Sequence, residues 1–513
     1  MANPLLFRSL LRDVPLANAS NQQGAAAFAF TPRHKLAQMV MTGCMNETFY
    51  ASGQAQLNDV LATAKDLDDL FLAQLAIYGR ERGMMKDMPA LLTAILAARG
   101  SALLPVVFAR VINNGRMLRN FVQILRSGVT GRRSLGTRPK KLVQRWLQNA
   151  SEERLLQASV GNAPSLADIV KMVHPRPQAA WQEAFFAWLI GKPCDKTQLP
   201  EKTRALLAFR EGDMGAALPD VPFLLLTNAP LSREQWAQLA QRMSWQTLRM
   251  NLNTLARHDV FENTTLAASV AQRLADRAQV RQSWVYPYQL LSAWSNLQSG
   301  VPQVIREALA QAMEYALENI PPFHGNVVVC PDVSGSITGY RKGATSKIRC
   351  VDVAGLIAAA VLRNHPQARV LPFECDVVDV QLDARQSVMH NAQKLAAVGG
   401  GGTNCSAPLR RLLNERARVD LVIMVSDNES WVDKSRHGST ATMECWIELK
   451  KRNPQVRLVC IDLLPYGTTQ VAERSDILNV GGFSDEVFMV IDNFVNGRYG
   501  STHWLEEIEA VTL

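Results

Sequence analysis

Residues 326–336 read Asn326-Val327-Val328-Val329-Cys330-Pro331-Asp332-Val333-Ser334-Gly335-Ser336. Four apolar residues in a row, closed by a proline, are what a strand covered on both faces requires. The polar segment that follows then lies at the strand's carboxyl end, where open α/β sheets place their ligands. One carboxylate and two hydroxyls at alternate positions, Asp332, Ser334 and Ser336, suit a small hard cation that takes oxygen ligands. Outward from this stretch, apolar runs at 326–330, 368–373, 420–425 and 456–464 alternate with helical patterns at 351–364, 387–397, 407–416, 441–451 and 485–495. That alternation predicts a parallel sheet with crossover helices. Two more oxygen donors fall at matching places: Thr403 after the glycine run Gly399 to Gly402, and Asp427 just beyond the strand predicted at 421–425.

Upstream the continuous apolar runs give way to a period of 3.6. Residues 54–320 show apolar positions at helical spacing, for example Leu57, Val60, Leu61 and Ala64. Breakers at Asn113-Asn114-Gly115, Gly131, Pro164, Pro175 to Pro177, Pro193 and Pro230 cut the pattern into short helices of about 10 to 15 residues. Short helices in series without an exact repeat predict a degenerate α-solenoid. The expected organisation is an N-terminal extension at 1–23, a helical domain at 24–320 and an α/β domain at 321–513.

The chain has 513 residues, 47% of them hydrophobic and 20% charged, which excludes intrinsic disorder. Its net charge of +9 is unevenly spread. Between Asp87 and Glu152 there are 11 Lys and Arg and no Asp or Glu, whereas residues 321–513 hold 20 basic against 22 acidic residues. A local excess of this kind predicts a polyanionic partner. Within it, Leu118, Phe121, Val122 and Leu125 form one helical stripe and leave Arg116, Arg119 and Arg126 on the other surface. A glycine-flanked loop then carries Arg132, Arg133 and Arg138, and the next helix opens with Lys140, Lys141 and Arg145. No zinc finger or RNA-recognition consensus accompanies these cations, so phosphate contacts along single strands are expected rather than base reading of a duplex.

Catalytic patterns are weak. Gly131-x4-Gly136-Thr137 has Walker-like glycine spacing with Thr137 where a phosphate-binding lysine belongs, and no HExxH occurs. No nucleophile–base constellation stands out, so an enzyme is not expected. The eight cysteines, at 44, 194, 330, 350, 375, 405, 445 and 460, form no CxxC pair and read as thiols of a reducing compartment. The apolar run Pro4 to Phe7 is too short for a signal peptide, and no uncharged run reaches membrane-spanning length. A soluble, cytoplasmic protein is expected.

The order Asp332-x-Ser334-x-Ser336, Thr403, Asp427 resembles the metal-ion-dependent adhesion site of von Willebrand factor A domains. That resemblance implies magnesium, or another divalent cation, held by these five residues directly or through water, with an open position for a partner's carboxylate. Further motifs widen it: Gly24-Ala25-Ala26-Ala27-Phe28-Ala29-Phe30, Pro32-Arg33-His34-Lys35-Leu36, Phe49-Tyr50, GGTNCSAP at 401–408 and SDNES at 426–430. With these the chain resembles the Ro autoantigen family in its bacterial form, a TROVE domain followed by an A domain. The resemblance implies a monomeric ring of HEAT-like helices closed by the A domain, with no catalytic site of its own. It also implies small noncoding Y-like RNA on the outer surface and single-stranded 3′ ends of structured or defective RNA in the hole. Delivery to a 3′-to-5′ exoribonuclease such as polynucleotide phosphorylase belongs to the same expectation. In Lys171-Met172-Val173-His174-Pro175, His174 matches a Y RNA contact of the family, with Lys171 beside it, whereas Gln157 and Gly161 stand where animal members carry cations. The alternative is a metal-dependent protein-interaction module on which the basic surface is incidental.

Overall fold

The computed structural model describes residues 14–42, 52–211, 218–227, 229–283, 285, 287–320, 322–339, 348–435, 438–464, 466–482, 486–496 and 503–513. Cys44, the Phe49-Tyr50 pair, residues 1–13 of the expected extension and Pro321 lie outside them. The chain divides into two compact units: Met1–Leu67 with Ser244–Ala256 and Phe261–Ala510, and Asp68–Met243 with Arg257–Val260 and Val511–Leu513.

The first unit is built on a five-stranded parallel sheet in the order Arg369–Val370, Val327–Pro331, Leu421–Ser426, Arg457–Asp462, Ile477–Gly481. Four of these strands coincide with the predicted runs, because consecutive apolar residues are the mark of a strand covered on both sides. Val328, Cys330, Val422, Met424, Leu458 and Cys460 share one core with Leu409 and Leu412 of helix Ala407–Asn414 and Trp446 of helix Ala441–Arg452. Helix Cys350–Asn364, twelve of whose residues are buried, packs on the strands and on helix Val388–Ala396. The run at 368–373 pairs regularly only at Arg369 and Val370, and Phe373 adds an isolated bridge to Asp332.

Two elements of this unit were not expected. Strand Ile477–Gly481 completes the sheet. Near the other end of the chain, Ala19–Ser20 and Ala26–Ala29 pair antiparallel, and the latter pairs again with Thr468–Thr469, forming a small three-stranded sheet. Residues 14–29 therefore fold onto the α/β core instead of leading into the helices.

The second unit is helical, with α-helices of 8 to 13 residues from Asp69–Glu81 to Arg233–Arg242 packed mainly against near neighbours in sequence. Local chemistry sets the ends. The Asn114 carboxamide accepts from Met117 N at 3.0 Å, and Ser165 and Asp168 form a reciprocal capping box. Gly100 and Gly128 end helices Asp87–Arg99 and Gly115–Ser127 in the left-handed region. Met117, Leu118, Phe121, Val122 and Leu125 are buried as the stripe predicts.

Candidate metal centre and cationic surface

The strand-end motif and the glycine loop are tied together by backbone bonds. Gly335 N donates to Gly401 O at 2.8 Å, and Gly400 N donates to Val333 O at 3.2 Å. Gly399 has φ +99°, and a Cβ there would lie 2.0 Å from Val333 O, so only glycine permits this approach. The approach delivers Thr403: its Oγ1 donates to Ser334 Oγ at 2.9 Å, and Ser334 Oγ lies 3.3 Å from Ser336 Oγ. Three hydroxyl oxygens thus stand side by side at the carboxyl end of the central strands.

Two carboxylates complete the set. Asp332 is fully buried; its Oδ1 accepts from Ser334 N at 2.8 Å and its Oδ2 from Ser426 Oγ at 2.6 Å. Asp427 Oδ1 accepts from Glu429 N at 3.1 Å, while Oδ2 is buried without a hydrogen-bond partner. Burial raises the Asp332 pKa against the pull of its hydrogen bonds. Burial and the neighbouring Asp332 charge push Asp427 up to about 7. Behind them Glu429 is pushed up to about 8 by burial and Asp427, and Asp462 well upward by burial, Asp427 and Glu429. Buried acids with unfilled oxygens and no basic partner call for positive charge. Among the described residues no group of three or more His, Cys, Asp and Glu is placed to hold a metal; here two acids are supplemented by hydroxyls. The orphaned Asp427 Oδ2 and the three clustered hydroxyls fit a hard divalent cation.

The sequence reading missed the supports. Ser426 holds Asp332, the Asn428 carboxamide bonds Asp462, and Ser430 Oγ accepts from Cys405 N at 3.0 Å. The N-terminal segment also takes part, as Gln22 N donates to Glu429 Oε2 at 2.7 Å and Asn21 Nδ2 donates to Ser430 O at 2.7 Å. The SDNES string contained the signal for the first three, but nothing local announced the last two.

In the helical unit, the structure sorts the basic residues. Arg99 and Arg110 are neutralised by Asp69 at 3.0 Å and Glu81 at 2.6 Å. None of the nine other cations of the stretch forms an ion pair with a described carboxylate. Arg126, Arg133, Lys140 and Lys141 line one cavity of about 720 Å³ together with Ser134, Thr137, Gln144 and Met172. On the other side of the 131–136 loop, Arg132, Arg133 and Arg138 line a second of about 370 Å³. Arg138 donates to Ser101 O at 2.9 Å and reaches the Gly100 and Ala102 carbonyls, so part of its donor capacity closes the end of helix Asp87–Arg99. Arg116 and Arg119 line a third cavity of about 480 Å³, joined there by Arg154, which the sequence reading did not single out. Arg145 is exposed and borders none of these three.

His174 ends helix Leu166–Val173 with φ 51°, a left-handed conformation that histidine adopts more readily than most residues. Its side chain is exposed, as is that of Lys171. Gln144, on the wall of the 720 Å³ cavity, donates to Val173 O at 2.6 Å and His174 O at 3.2 Å, and Met172 lines the same wall. His174 and the lysines therefore border one region of this unit. The fold also brings a carboxylate into it: Asp168 lies within electrostatic range of Lys171 and Arg126.

A Ro60 vWA domain family model matches residues 326–495, and a TROVE domain family model matches residues 224–370. The RNA-binding protein RO60 of Deinococcus radiodurans is 23% identical over 528 residues, covering 93% of this chain and 95% of that one. The Caenorhabditis elegans RNA-binding protein RO60 is 22% identical over 242 residues, 45% of this chain and 37% of that protein. The crystal structure of the Deinococcus radiodurans RO (RSR) protein shares the fold with a TM-score of 0.63 at 21% identity, covering 91% of this chain and all of that one. With a TROVE domain match, a Ro60 vWA domain match over the strands that bear the oxygen cluster, and a relative aligned along nearly its whole length, the chain is similar to Ro proteins in both of its parts.

Proposed function

We propose that this protein is an RNA-binding scaffold of the Ro type, which holds small noncoding Y-like RNA and single-stranded ends of structured or defective RNA. The observation that carries the reading is the cation set on the helical unit, where Arg126, Arg133, Lys140 and Lys141 face one cavity without an ion pair among the described residues. The relatives' names as RNA-binding proteins support it. The cations bind phosphates and fix register; Ser134, Thr137 and Gln144 supply neutral hydrogen bonds on the same wall. Nothing in this role requires a chemical step, and we assign no catalytic residue. Within the same reading, the scaffold is a cytoplasmic, monomeric ring of HEAT-like repeats that presents RNA for quality control or to a 3′-to-5′ exoribonuclease.

The second part of the proposal is that Asp332, Ser334, Ser336, Thr403 and Asp427 hold magnesium or another divalent cation. Such an ion would supply charge to the buried acids and an open coordination position for a partner's carboxylate. Ser426 and the Ser334 backbone orient Asp332, and the glycine loop carries Thr403 to the hydroxyl cluster. This site is a means of recruiting a protein partner to the bound RNA.

Purification of the protein from its own cells tests the RNA part directly. The expected result is a ribonuclease-sensitive component absorbing at 260 nm, whose sequencing after cross-linking identifies the RNA. Purified protein free of nucleic acid, with no affinity for single-stranded oligonucleotides at low salt, would remove the reading and leave the metal-dependent protein-interaction module.

A further inference from the structure

Trp431 and Val432 directly follow the SDNES string of the strand-end centre, and they are 47% and 36% exposed. Among the described residues no other two large apolar side chains adjacent in sequence are both exposed. A single exposed apolar residue needs no explanation, whereas neighbouring ones rimmed by polar groups mark a contact surface. This pair is held in place. Trp431 N and Val432 N both donate to Thr403 O, at 3.1 and 3.3 Å, and Ser430 Oγ donates to Asp433 Oδ1 at 2.8 Å across the turn that carries them. Their side chains lie on the glycine loop: a Cβ added at Gly402 would meet Val432 Cγ2 at 2.6 Å and the Trp431 ring at 2.8 Å. One side of each is thus covered by the loop that delivers Thr403, and the remainder faces solvent.

The charges around this pair are mostly acidic. Asp332, Asp427 and Glu429 are buried in the centre itself, Glu374 accepts from Gly401 N at 2.8 Å, and Asp376 is exposed two residues further on, while Lys434 is the base of the turn. A divalent cation in the centre complements one carboxylate, but a run of acids would meet these carboxylates with like charge. Affinity beyond the single metal contact therefore has to come from uncharged surface, which Trp431 and Val432 supply. The distances suit this. Gly402, under the ring, precedes Thr403 by one Cα step of about 3.8 Å. An extended peptide advances about 3.3 Å per residue, so a side chain one or two positions from the captured carboxylate falls on the ring.

We propose that Trp431 and Val432 form the apolar half of a partner-binding surface, and that the partner is a peptide segment with one carboxylate for the cation and a large apolar side chain one or two residues from it. This rests on the reading of the strand-end residues as a cation site that captures a carboxylate, and adds a specificity to it. The cation selects for an acid; the apolar pair selects which acidic segment is held.

The test is an array of immobilised peptides probed with the labelled full chain in magnesium and in a chelator. Each peptide has a central Asp or Asn in a Gly-Ser background, with Phe, Ser or Lys at one of the two positions on either side. In magnesium alone, the wild type should hold Asp peptides carrying Phe about tenfold more strongly than those carrying Ser or Lys. Trp431→Ser should remove most of the preference for Phe and keep the requirement for Asp and magnesium, and Trp431→Phe should restore the preference. Calorimetry with magnesium alone should give Trp431→Ser the wild-type affinity, because the backbone bonds to Thr403 O remain. A wild type that holds no peptide, or holds every Asp peptide alike, refutes the apolar half, while unchanged magnesium binding leaves the cation site standing. A Trp431→Ser variant that loses magnesium affinity also refutes it, since the ring then only supports the loop. Asp-peptide binding that survives both the chelator and Asp332→Ala removes the cation reading and this one with it. An oligouridylate that displaces the Phe peptides from the wild type would assign the ring to nucleic acid and overturn the peptide partner.

Discussion

Replacing Arg126, Arg133, Lys140 and Lys141 together by alanine removes the charge from the 720 Å³ cavity of the helical unit. For single strands each phosphate contact contributes a slope of about 0.7 in log affinity against log salt, so four contacts account for about 2.8. Between about 50 and about 200 mM salt, a fourfold range, the wild type should therefore lose roughly 50-fold more affinity than the variant. Anisotropy titrations with one labelled single-stranded oligonucleotide across that range give both slopes. Folding should not confound the comparison, because none of the four is ion-paired with a described carboxylate and surface changes of this kind cost within about 0.5 kcal/mol. Arg110→Ala is the matched control: Glu81 already neutralises that cation, so its slope should remain that of the wild type. A quadruple variant whose slope stays within experimental error of the wild type would refute the placement of RNA on this cavity.

Asp332→Ala should abolish magnesium binding measured by calorimetry while leaving RNA affinity unchanged, since the cation surface belongs to a different unit; persistent magnesium heat would dismiss the five-residue site. Gly399→Ala should cost at least about 2 kcal/mol in urea unfolding, because the added carbon meets Val333 O at 2.0 Å and φ is +99°. An unshifted midpoint would show that the loop does not need this approach. His174→Gly separates two roles: glycine suits the left-handed cap, so the melting temperature should hold or rise, while loss of one imidazole hydrogen bond lowers affinity for a folded small RNA roughly two- to twelve-fold. Unchanged affinity in that variant would leave His174 as a helix stop alone.

What the sequence showed and what it concealed follow from the range of the interactions involved. The runs at 326–330, 420–425 and 456–464 were legible because burial on both faces needs apolar residues at every position, a local property. Strand Ile477–Gly481 is equally buried, yet Asn479 and Gly481 break its apolar run and give it the look of a loop. The pairing of Ala26–Ala29 with Thr468–Thr469 joins distant parts of the chain, for which no local pattern exists. The strand-end oxygen cluster was legible as a motif, but the role of Ser426 depends on register: Pro331 sits opposite Val425, which carries Ser426 alongside Asp332. The acid-free stretch has a different boundary in space than in sequence. Asp69 and Glu81 come from an earlier helix to cancel Arg99 and Arg110, and Arg154, beyond the stretch, completes the third cavity.

The two candidate sites obey opposite electrostatic logic, and this decides how each should respond to its surroundings. The strand-end site buries its acids, holds them above the usual carboxylate range and leaves Asp427 Oδ2 unfilled, so its field is short-ranged and shielded from bulk ions. Salt at physiological strength, with a Debye length of about 8 Å, screens exposed charges far more than buried ones. The cations around the groove are mostly exposed, and their attraction for a polyanion acts through solvent and counterion release. Monovalent salt should therefore govern RNA occupancy, and a chelator should govern only what the A domain captures. Phosphates have no reason to enter the strand-end site before a cation arrives, because Asp332 and Asp427 already crowd it with acid. On the proposed function, the two sites would therefore be two independently addressable contacts, one for nucleic acid and one for a carboxylate-bearing partner.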